Sequence, residues 1–342
     1  MNLEFGIDTF GDVTSGLDGA LLPHDQVVRN VVDEGVLADQ VGLDAIGIGE
    51  HHRDDYAVSS PEMVLAAIAA RTSRLKLASA VTVLSSDDPV RVWERFSTLD
   101  AISSGRAEIV VGRGSFIESF PLFGYDLKDY EGLFEEKLAM FAQLIQRGPQ
   151  TWDGTYAQSL DNVELYPTMD RTLKTWVAVG GSPQSVVRAA SHGLPLMLAI
   201  IGGPVERFAP FADLYRRALS ELGKDELPIG FHSPGLIAKT DDEARERLAT
   251  HWLEVSTRIG AERGWGRMTR DHFDNEVDHG ALFVGSPETV ATKIADGMKA
   301  VGAERFQLKI SNGRLPHEYI MDSIELYGTE VVPLVKDILS ES

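Results

Sequence analysis

The chain has 342 residues, of which 43% are hydrophobic and 25% are charged, a composition that provides for a sizeable core and argues against wholesale disorder. Its 32 Lys and Arg residues against 52 Asp and Glu residues give a net charge of -20, which argues against broad binding to nucleic acid or anionic membranes. Because cysteine is absent, disulfides, thiolate metal sites, iron–sulfur clusters and a cysteine nucleophile are excluded.

The beginning of the chain carries no recognisable targeting signal. Residues Met1 to Phe5 lead directly into a strand-like run, without a basic segment or a long apolar stretch. No later segment combines the length and hydrophobicity of a membrane-spanning helix. We therefore expect a cytoplasmic protein.

Segments typical of strands alternate with segments typical of helices along the whole chain. The predicted strands are Glu4–Thr9, Ala45–Gly49, Leu75–Val83, Ala107–Gly112, Thr175–Val179, Leu196–Ile201, Ile229–Ala238 and Arg305–Ile310. The predicted helices are Asp25–Val41, Pro61–Thr72, Pro89–Ile102, Tyr130–Gln146, Pro183–His192, Val205–Leu222, Asp241–Ile259, Pro287–Val301 and a closing helix Pro316–Leu339. Eight strand-then-helix units without a linker predict an α/β fold, a (β/α)₈ TIM barrel with loop insertions that spans residues 1–342 as one domain.

Three predicted connections are longer than usual for such a barrel: Arg113–Asp129, the hairpin-like Gln150–Lys174, and Gly260–Leu282. Connections of this length usually shape or cover a site. The segment Phe116–Phe123 is aromatic for a loop, so we expect it to pack over the barrel mouth or at a subunit interface.

The second predicted strand ends in Glu50, His51 and His52, three adjacent groups that can move protons or bind metal. Catalytic groups commonly stand at the carboxyl ends of parallel strands. The glycines at positions 47 and 49 do not continue into a dinucleotide fingerprint, because His52 occupies the third glycine position. The alternative is a polar loop in which one imidazole hydrogen-bonds to Glu50.

Two predicted helix starts, Gly180–Pro183 and Gly285–Pro287, place glycine and serine before proline, where free N–H groups and the helix dipole can hold a phosphate. Arg113 follows the fourth strand, next in the barrel to the strand that leads to Ser182 and Ser185. Neighbouring strand ends allow these three residues to meet around one anion. We therefore favour the first helix start as the anion site; a surface arginine and a plain helix cap are the alternatives.

Several blocks of the sequence form an ordered pattern. They are Ile-Gly-Glu-His-His at 48–52, Ala-Ser-Ala-Val-Thr-Val-Leu at 78–84 with Asp-Pro-Val-Arg at 88–91, Gly-Arg at 105–106 through Val-Gly-Arg-Gly at 111–114 to Leu-Phe-Gly at 122–124, Val-Gly-Gly-Ser at 179–182 through Gly-Leu-Pro at 193–195, and Val-Gly-Ser-Pro-Glu-Thr at 284–289. In this order they resemble the bacterial luciferase-like family of flavin-dependent monooxygenases. The resemblance implies a barrel that binds reduced FMN, usually supplied by a separate flavin reductase, and that forms a C4a-peroxyflavin with O2 to oxidise a small organic substrate. The chemistry then lies largely in the cofactor.

The resemblance also implies roles for particular residues. His51 matches the catalytic histidine of the family, and Glu50 or His52 beside it is expected to help orient it. The family residues that bind the flavin phosphate are matched here by Arg113, Ser182 and Ser185. Ala80 and Val81 match a non-proline cis peptide that supports the isoalloxazine ring; the alternative is a plain buried strand.

The chain departs from luciferase itself at two matching positions. Gly112 replaces a cysteine and Gly181 replaces an acidic residue of the cofactor site. Light emission and the aldehyde substrate are therefore not implied. An F420-dependent reductase or dehydrogenase on the same fold and a non-catalytic flavin-binding protein remain open. A homodimer is expected by analogy and from apolar residues of the second predicted helix, Met63, Leu65 and Ile68, for which burial in the core is the alternative.

A metal-dependent hydrolase that uses Glu50, His51 or His52 is the rival from another class. It needs further ligands, and the sequence contains no His-x-His motif. We therefore expect no metal site.

Overall fold

The structure, a computed structural model, describes residues 3–114, 116–264 and 266–341. Its strands are β1 (Glu4–Thr9), β2 (Ala45–Ile48), β3 (Lys76–Ser79), β4 (Thr82–Val83), β5 (Ala107–Gly112), β6 (Gln150–Trp152), β7 (Leu160–Val163), β8 (Lys174–Val179), β9 (Leu196–Ala199), β10 (Ile229–Ile237), β11 (Phe283–Gly285) and β12 (Arg305–Lys309). Its helices are α1 (His24–Gln40), α2 (Pro61–Ala69), α3 (Pro89–Ile102), α4 (Ser119–Leu122), α5 (Tyr130–Leu144), α6 (Pro183–His192), α7 (Ala209–Glu221), α8 (Asp241–Arg263), α9 (Arg270–His279), α10 (Pro287–Val301), α11 (His317–Leu326) and α12 (Val332–Ser340).

Eight parallel strands form a closed barrel, as the sequence predicts. β1, β2, β3, β5, β8, β9, β10 and β12 pair in that order, and β12 pairs again with β1. β11 adds to β10 outside this ring, and β4 pairs with β5. The hairpin expected at Gln150–Lys174 is present as the antiparallel pair β6 and β7.

Helix starts with a local signal are correctly predicted. Asp88, Ser182 and Ser286 each accept a backbone N–H of the helix that follows and stand directly before a proline. α3, α6 and α10 consequently begin and end at the predicted residues.

The structure differs from the prediction at three places, and two of the differences have an identifiable local cause. The connection Gly260–Leu282 contains α9, which begins with a capping box between Thr269 and His272. The predicted closing helix divides into α11 and α12 around a π turn at Tyr327–Val331, just before Pro333, which has no backbone N–H to donate. The predicted helix Val205–Leu222 starts as a 3-10 turn before α7.

The amino-terminal end of the barrel is closed by ionised side chains. Arg305, at the start of β12, is 1% exposed and places Nη1 2.6 Å from Oε2 of Glu108 and Nε 2.6 Å from Oε2 of Glu4. Burial raises the pKa of the Glu108 carboxyl, but Arg305 together with Lys174 and Lys76 outweighs burial and lowers it to about 2. A buried arginine thus compensates two buried carboxylates, and the opposite end of the barrel is left for a cavity.

Candidate functional site

One cavity of about 520 Å³ lies at the carboxyl ends of the barrel strands. A parallel barrel presents these strand ends and the following loops on one face, so residues distant in sequence meet there. The cavity is lined by all the residues that the sequence analysis singled out: Glu50, His51, His52, Ala80, Val81, Arg113, Gly181, Ser182 and Ser185.

Glu50 and His52 form a hydrogen-bonded pair after β2. Nε2 of His52 lies 2.9 Å from Oε1 of Glu50, and Oε2 accepts the backbone N–H of Val83 at 3.2 Å. We expected Glu50 or His52 to orient His51. The two imidazoles instead lie in different surroundings. The ring centre of His52 is 5.1 Å from that of Phe123, whereas His51 lies in a separate aromatic cluster.

His51 is packed among aromatic rings at the cavity wall. Its ring centre lies 4.2 Å from that of Tyr56 and 5.2 Å from those of Phe10 and Phe116. Burial lowers the pKa of His51 to about 4, although the negative charge of Asp12 acts in the opposite direction. His51 is therefore a neutral imidazole at neutral pH, not the half-protonated group that an unperturbed histidine would be. Its Nε2 is buried, and within the described ranges no atom hydrogen-bonds to it.

Arg53 connects the aromatic segment Phe116–Phe123 to the carboxyl end of α8 beside this cavity. Its guanidinium lies 2.5 Å from Oε1 of Glu118 and 2.6 Å from Oε1 of Glu262, and it covers the ring of Phe116 at 4.5 Å. These contacts hold the aromatic segment over the barrel mouth and against His51. That placement is one of the two expected for the segment.

The peptide bond between Ala80 and Val81 is cis, as the resemblance implies. It separates β3 from β4 and lies at the cavity wall. Glycines on the neighbouring strands leave room for it, because a Cβ on Gly47 would lie 2.8 Å from Cβ of Ala80 and one on Gly112 2.8 Å from Cγ2 of Val81. The absence of side chains at both positions keeps this part of the wall open.

The amino terminus of α6 opens onto the same cavity. Oγ of Ser182 accepts the backbone N–H of Ser185 at 3.4 Å, and Gly181 has a φ of 109°, a conformation that L side chains rarely adopt. Free N–H groups in the first helical turn attract anions, and the helix dipole adds to that attraction.

Two arginines stand beside this helix start. Arg113 pairs with the carboxylate of Glu131 and lies over the ring of Tyr130 at 5.3 Å. Arg188, which the sequence analysis missed, donates from Nη1 to Oγ of Ser185 at 3.2 Å. The sequence could have indicated Arg188, because this residue follows Ser185 by three positions on α6 and therefore lies on the same helix face.

The second helix start that resembles an anion site is already filled by a carboxylate of the chain. Asp241 accepts the backbone N–H of Ser286 at 2.7 Å and the hydroxyl of Thr289 at 3.0 Å. This carboxylate satisfies the amino terminus of α10 and repels a further anion. The preference for the helix start near Arg113 thus has a structural reason.

Polar groups inside the barrel escaped the sequence analysis. Asp8 and His232 form a buried pair, with Oδ2 of Asp8 2.7 Å from Nδ1 of His232, and Gln307 lies beside them in the cavity wall. Each residue lies in a strand whose sequence predicts burial in the core. The sequence could have indicated them, because a polar residue inside an apolar strand usually has a specific hydrogen-bond partner.

The described residues contain no group of three or more His, Asp or Glu side chains that could hold a metal ion. Glu50 and His52 bond to each other instead. Among the helices in residues 3–114, 116–264 and 266–341, none has the length and hydrophobicity needed to cross a bilayer.

Comparison with known proteins agrees with this arrangement. A family model described as luciferase-like monooxygenase matches residues 3–305. The alkanal monooxygenase alpha chain of Aliivibrio fischeri is 28% identical over 325 residues, which cover 87% of this chain and 90% of that protein.

Solved structures share the fold over nearly the whole chain. The monooxygenase RslO1 from Streptomyces bottropensis superposes with a TM-score of 0.84 at 25% identity, covering 97% of this chain and 99% of that chain. The oxygenating constituent of 3,6-diketocamphane monooxygenase from Pseudomonas putida, in complex with FMN, has a TM-score of 0.78 at 19% identity and covers 97% and 98% of the two chains. An F420-dependent secondary alcohol dehydrogenase with an F420–acetone adduct has a TM-score of 0.76 at 18% identity and covers 98% and 99%. With its matched model, its barrel and its cavity, the chain belongs to the luciferase-like monooxygenase family.

Proposed function

We propose that the protein is an FMN-dependent monooxygenase that uses reduced FMN and O2 to oxidise a small organic substrate. The observation that carries this proposal is the arrangement around one cavity. Arg113 and the amino terminus of α6 stand at one part of the wall, the cis peptide Ala80–Val81 at another, and His51 faces the same space. This arrangement combines an anion site, a supporting surface and a proton-holding group.

The size and lining of the cavity support the proposed binding of a flavin mononucleotide. Its volume of about 520 Å³ falls within the range of small-molecule sites, and apolar side chains such as Val110 and Ala178 line much of it. Arg113, Ser182 and Ser185 would hold the phosphate, and Ala80 with Val81 would support the ring. When bound, reduced FMN would supply the activation of O2.

The aromatic cluster around His51 gives that residue a defined task. Phe10, Tyr56 and Phe116 exclude water and keep the imidazole neutral, so His51 can donate one proton through its N–H or accept one at the other nitrogen. We assign to His51 the control of proton transfer at the reacting atoms, with Glu50 and His52 as a second hydrogen-bonded pair nearby.

One experiment separates this function from its neighbours. The purified apoprotein is mixed separately with reduced FMN and with reduced F420; affinity is measured for each, and absorbance is followed after O2 is added. We expect tight binding of reduced FMN and an O2-dependent spectral change. Preference for reduced F420 with no reaction with O2 supports an F420-dependent dehydrogenase, and FMN binding without any reaction supports a non-catalytic flavin-binding protein.

We further propose a homodimer that receives reduced FMN from a separate flavin reductase. Of the apolar residues on α2 that suggested a dimer surface, Leu65 and Ile68 are buried in the core, whereas Met63 is 73% exposed. Sedimentation should give about twice the chain mass of 37.4 kDa. A species of one chain mass over the whole concentration range contradicts the dimer.

A further inference from the structure

A histidine other than His51 faces the same cavity with one nitrogen available. His232 is buried on β10, and its Nδ1 lies 2.7 Å from Oδ2 of Asp8 on β1. With its Nδ1 N–H donated to the Asp8 carboxylate, Nε2 becomes the hydrogen-bond acceptor. In the part of the chain that the structure describes, no hydrogen-bond partner of Nε2 is found. His232 is thus an oriented base at the wall of the cavity.

The neighbours of this pair are arranged for a polar group on an otherwise apolar ligand. Gln307 is paired with His232 in the register of β10 and β12, and within the described ranges its buried Oε1 has no hydrogen-bond partner. Room for these side chains comes from glycines: a Cβ on Gly6 would lie 1.9 Å from Oε1 of Gln307, and one on Gly47 2.1 Å from Oδ1 of Asp8. A buried polar atom without a partner indicates a ligand or water at this point.

The remaining wall is apolar and aromatic. The ring of Phe10 stacks on the imidazole of His232 at 5.8 Å and meets His51 on its other side at 5.2 Å. Met197 and Ala199 of β9 line the cavity on the other flank of His232. Nζ of Lys309 lies 4.8 Å from the centre of the Phe10 ring. A planar aromatic molecule with one polar edge matches this part of the wall.

We propose that the organic substrate carries a phenolic hydroxyl, and that His232, oriented by Asp8, removes its proton. The phenol O–H bond breaks, the electron pair stays on the oxygen, and the proton moves to Nε2, forming an imidazolium that the Asp8 carboxylate stabilises. The buried Oε1 of Gln307, an acceptor, takes a hydrogen bond from water or from a second donor at the polar edge of the substrate. Deprotonation makes the ring electron-rich and prepares it for oxidation. That oxidation is the proposed function, on which this inference rests.

The test uses 4-nitrophenol as the probe, because its ionised form absorbs visible light. The probe is bound to the apoprotein, without any flavin, at a pH at which the free probe is mostly protonated. We expect the bound probe to be mostly ionised. In His232→Gln and in Asp8→Asn, the ratio of ionised to protonated bound probe should fall by about tenfold or more. The matched variant His192→Gln, at the carboxyl end of α6 and outside the cavity lining, should keep the ionised probe.

Each result decides the proposal. A bound probe that stays protonated in the wild type overturns it without any variant, as does a bound probe that remains ionised in His232→Gln. Addition of oxidised FMN should leave the probe bound, and its displacement would place the flavin, not the substrate, against His232. The ionisation of the probe is measured without flavin. The result is therefore independent of whether the protein binds FMN, and failure of one proposal can be distinguished from failure of the other.

Discussion

The carboxylate of Glu131 pairs with the guanidinium of Arg113 and lies 3.8 Å from that of Arg188, beside the amino terminus of α6. Glu131 therefore occupies the position of an anion between the two arginines. A phosphate that binds Arg113 has to displace this carboxylate, whose side chain is 65% exposed. The contact weakens the anion site without removing it.

Glu131→Gln should accordingly strengthen FMN binding. The expected gain is about two- to fivefold, because exposed ion pairs contribute up to about 1 kcal/mol. Riboflavin, which lacks the phosphate, should bind equally to both proteins in the same fluorescence titration. Glu94→Gln, which alters an exposed pair with Arg91, is the matched control. An equal gain for riboflavin contradicts competition with the phosphate.

Arg113→Ala should weaken FMN binding by about 1.5 to 3 kcal/mol, the range for a hydrogen bond to a charged group. The loss for riboflavin should be far smaller, because the guanidinium contacts only the phosphate in this assignment. Arg91→Ala removes an exposed arginine on α3 and should leave both affinities unchanged. If both ligands lose the same affinity in Arg113→Ala, the arginine does not read the phosphate.

His51→Ala should bind FMN with nearly the affinity of the wild type but lose substrate oxidation by about 10² to 10⁴ in rate. Reducing equivalents should then appear as hydrogen peroxide, because O2 is consumed without oxygen transfer to substrate. Product and peroxide are measured in the same reaction, with His192→Ala, at the carboxyl end of α6, as the control. Full coupling in His51→Ala would leave His51 as a structural neighbour of the cofactor only.

The buried imidazole of His51 should also make the fold acid-sensitive. Its pKa is lowered by burial from the ordinary value of 6.5 to about 4, so the unfolded chain binds the proton more readily than the folded one. Stability from this residue is therefore complete above pH 6.5 and is lost as the pH falls from 6.5 through 4. The loss amounts to roughly 3 kcal/mol. Urea unfolding of His51→Gln should show a smaller change between pH 7 and pH 4, and an unchanged pH dependence would contradict the burial argument.

Arg305→Met should destabilise the fold by about 3 to 5 kcal/mol, because it leaves Glu4 and Glu108 buried without their main compensating charge. The free energy of unfolding in urea measures this loss. Arg91→Met, an exposed arginine whose pair is worth little, should cost less than about 1 kcal/mol. Similar losses in the two variants would show that the buried cluster contributes no more than a surface pair.

Local sequence signals determined the order of the elements and the place of the cavity. Proline at 89, 183 and 287 cannot continue a preceding helical turn but suits the first position of a new helix, so those starts depend on neighbouring residues alone. An apolar run that ends in Glu50, His51 and His52 likewise marks the end of a strand without knowledge of its partners. Once eight such units close into a barrel, their strand ends must share one face.

Only the tertiary structure decided which groups meet and in which ionisation state. Asp8 and His232 are separated by 224 positions, and their pairing depends on barrel register, which no local pattern encodes. The pKa of His51 depends on Phe10, Tyr56 and Phe116, contributed by three separate loops that surround it. Glu131 meets Arg113 only after α5 packs beside the barrel. Propensity and capping act over a few residues, whereas burial and charge act through space, so the sequence by itself determined where the site lies and the folded chain determined what its groups can do.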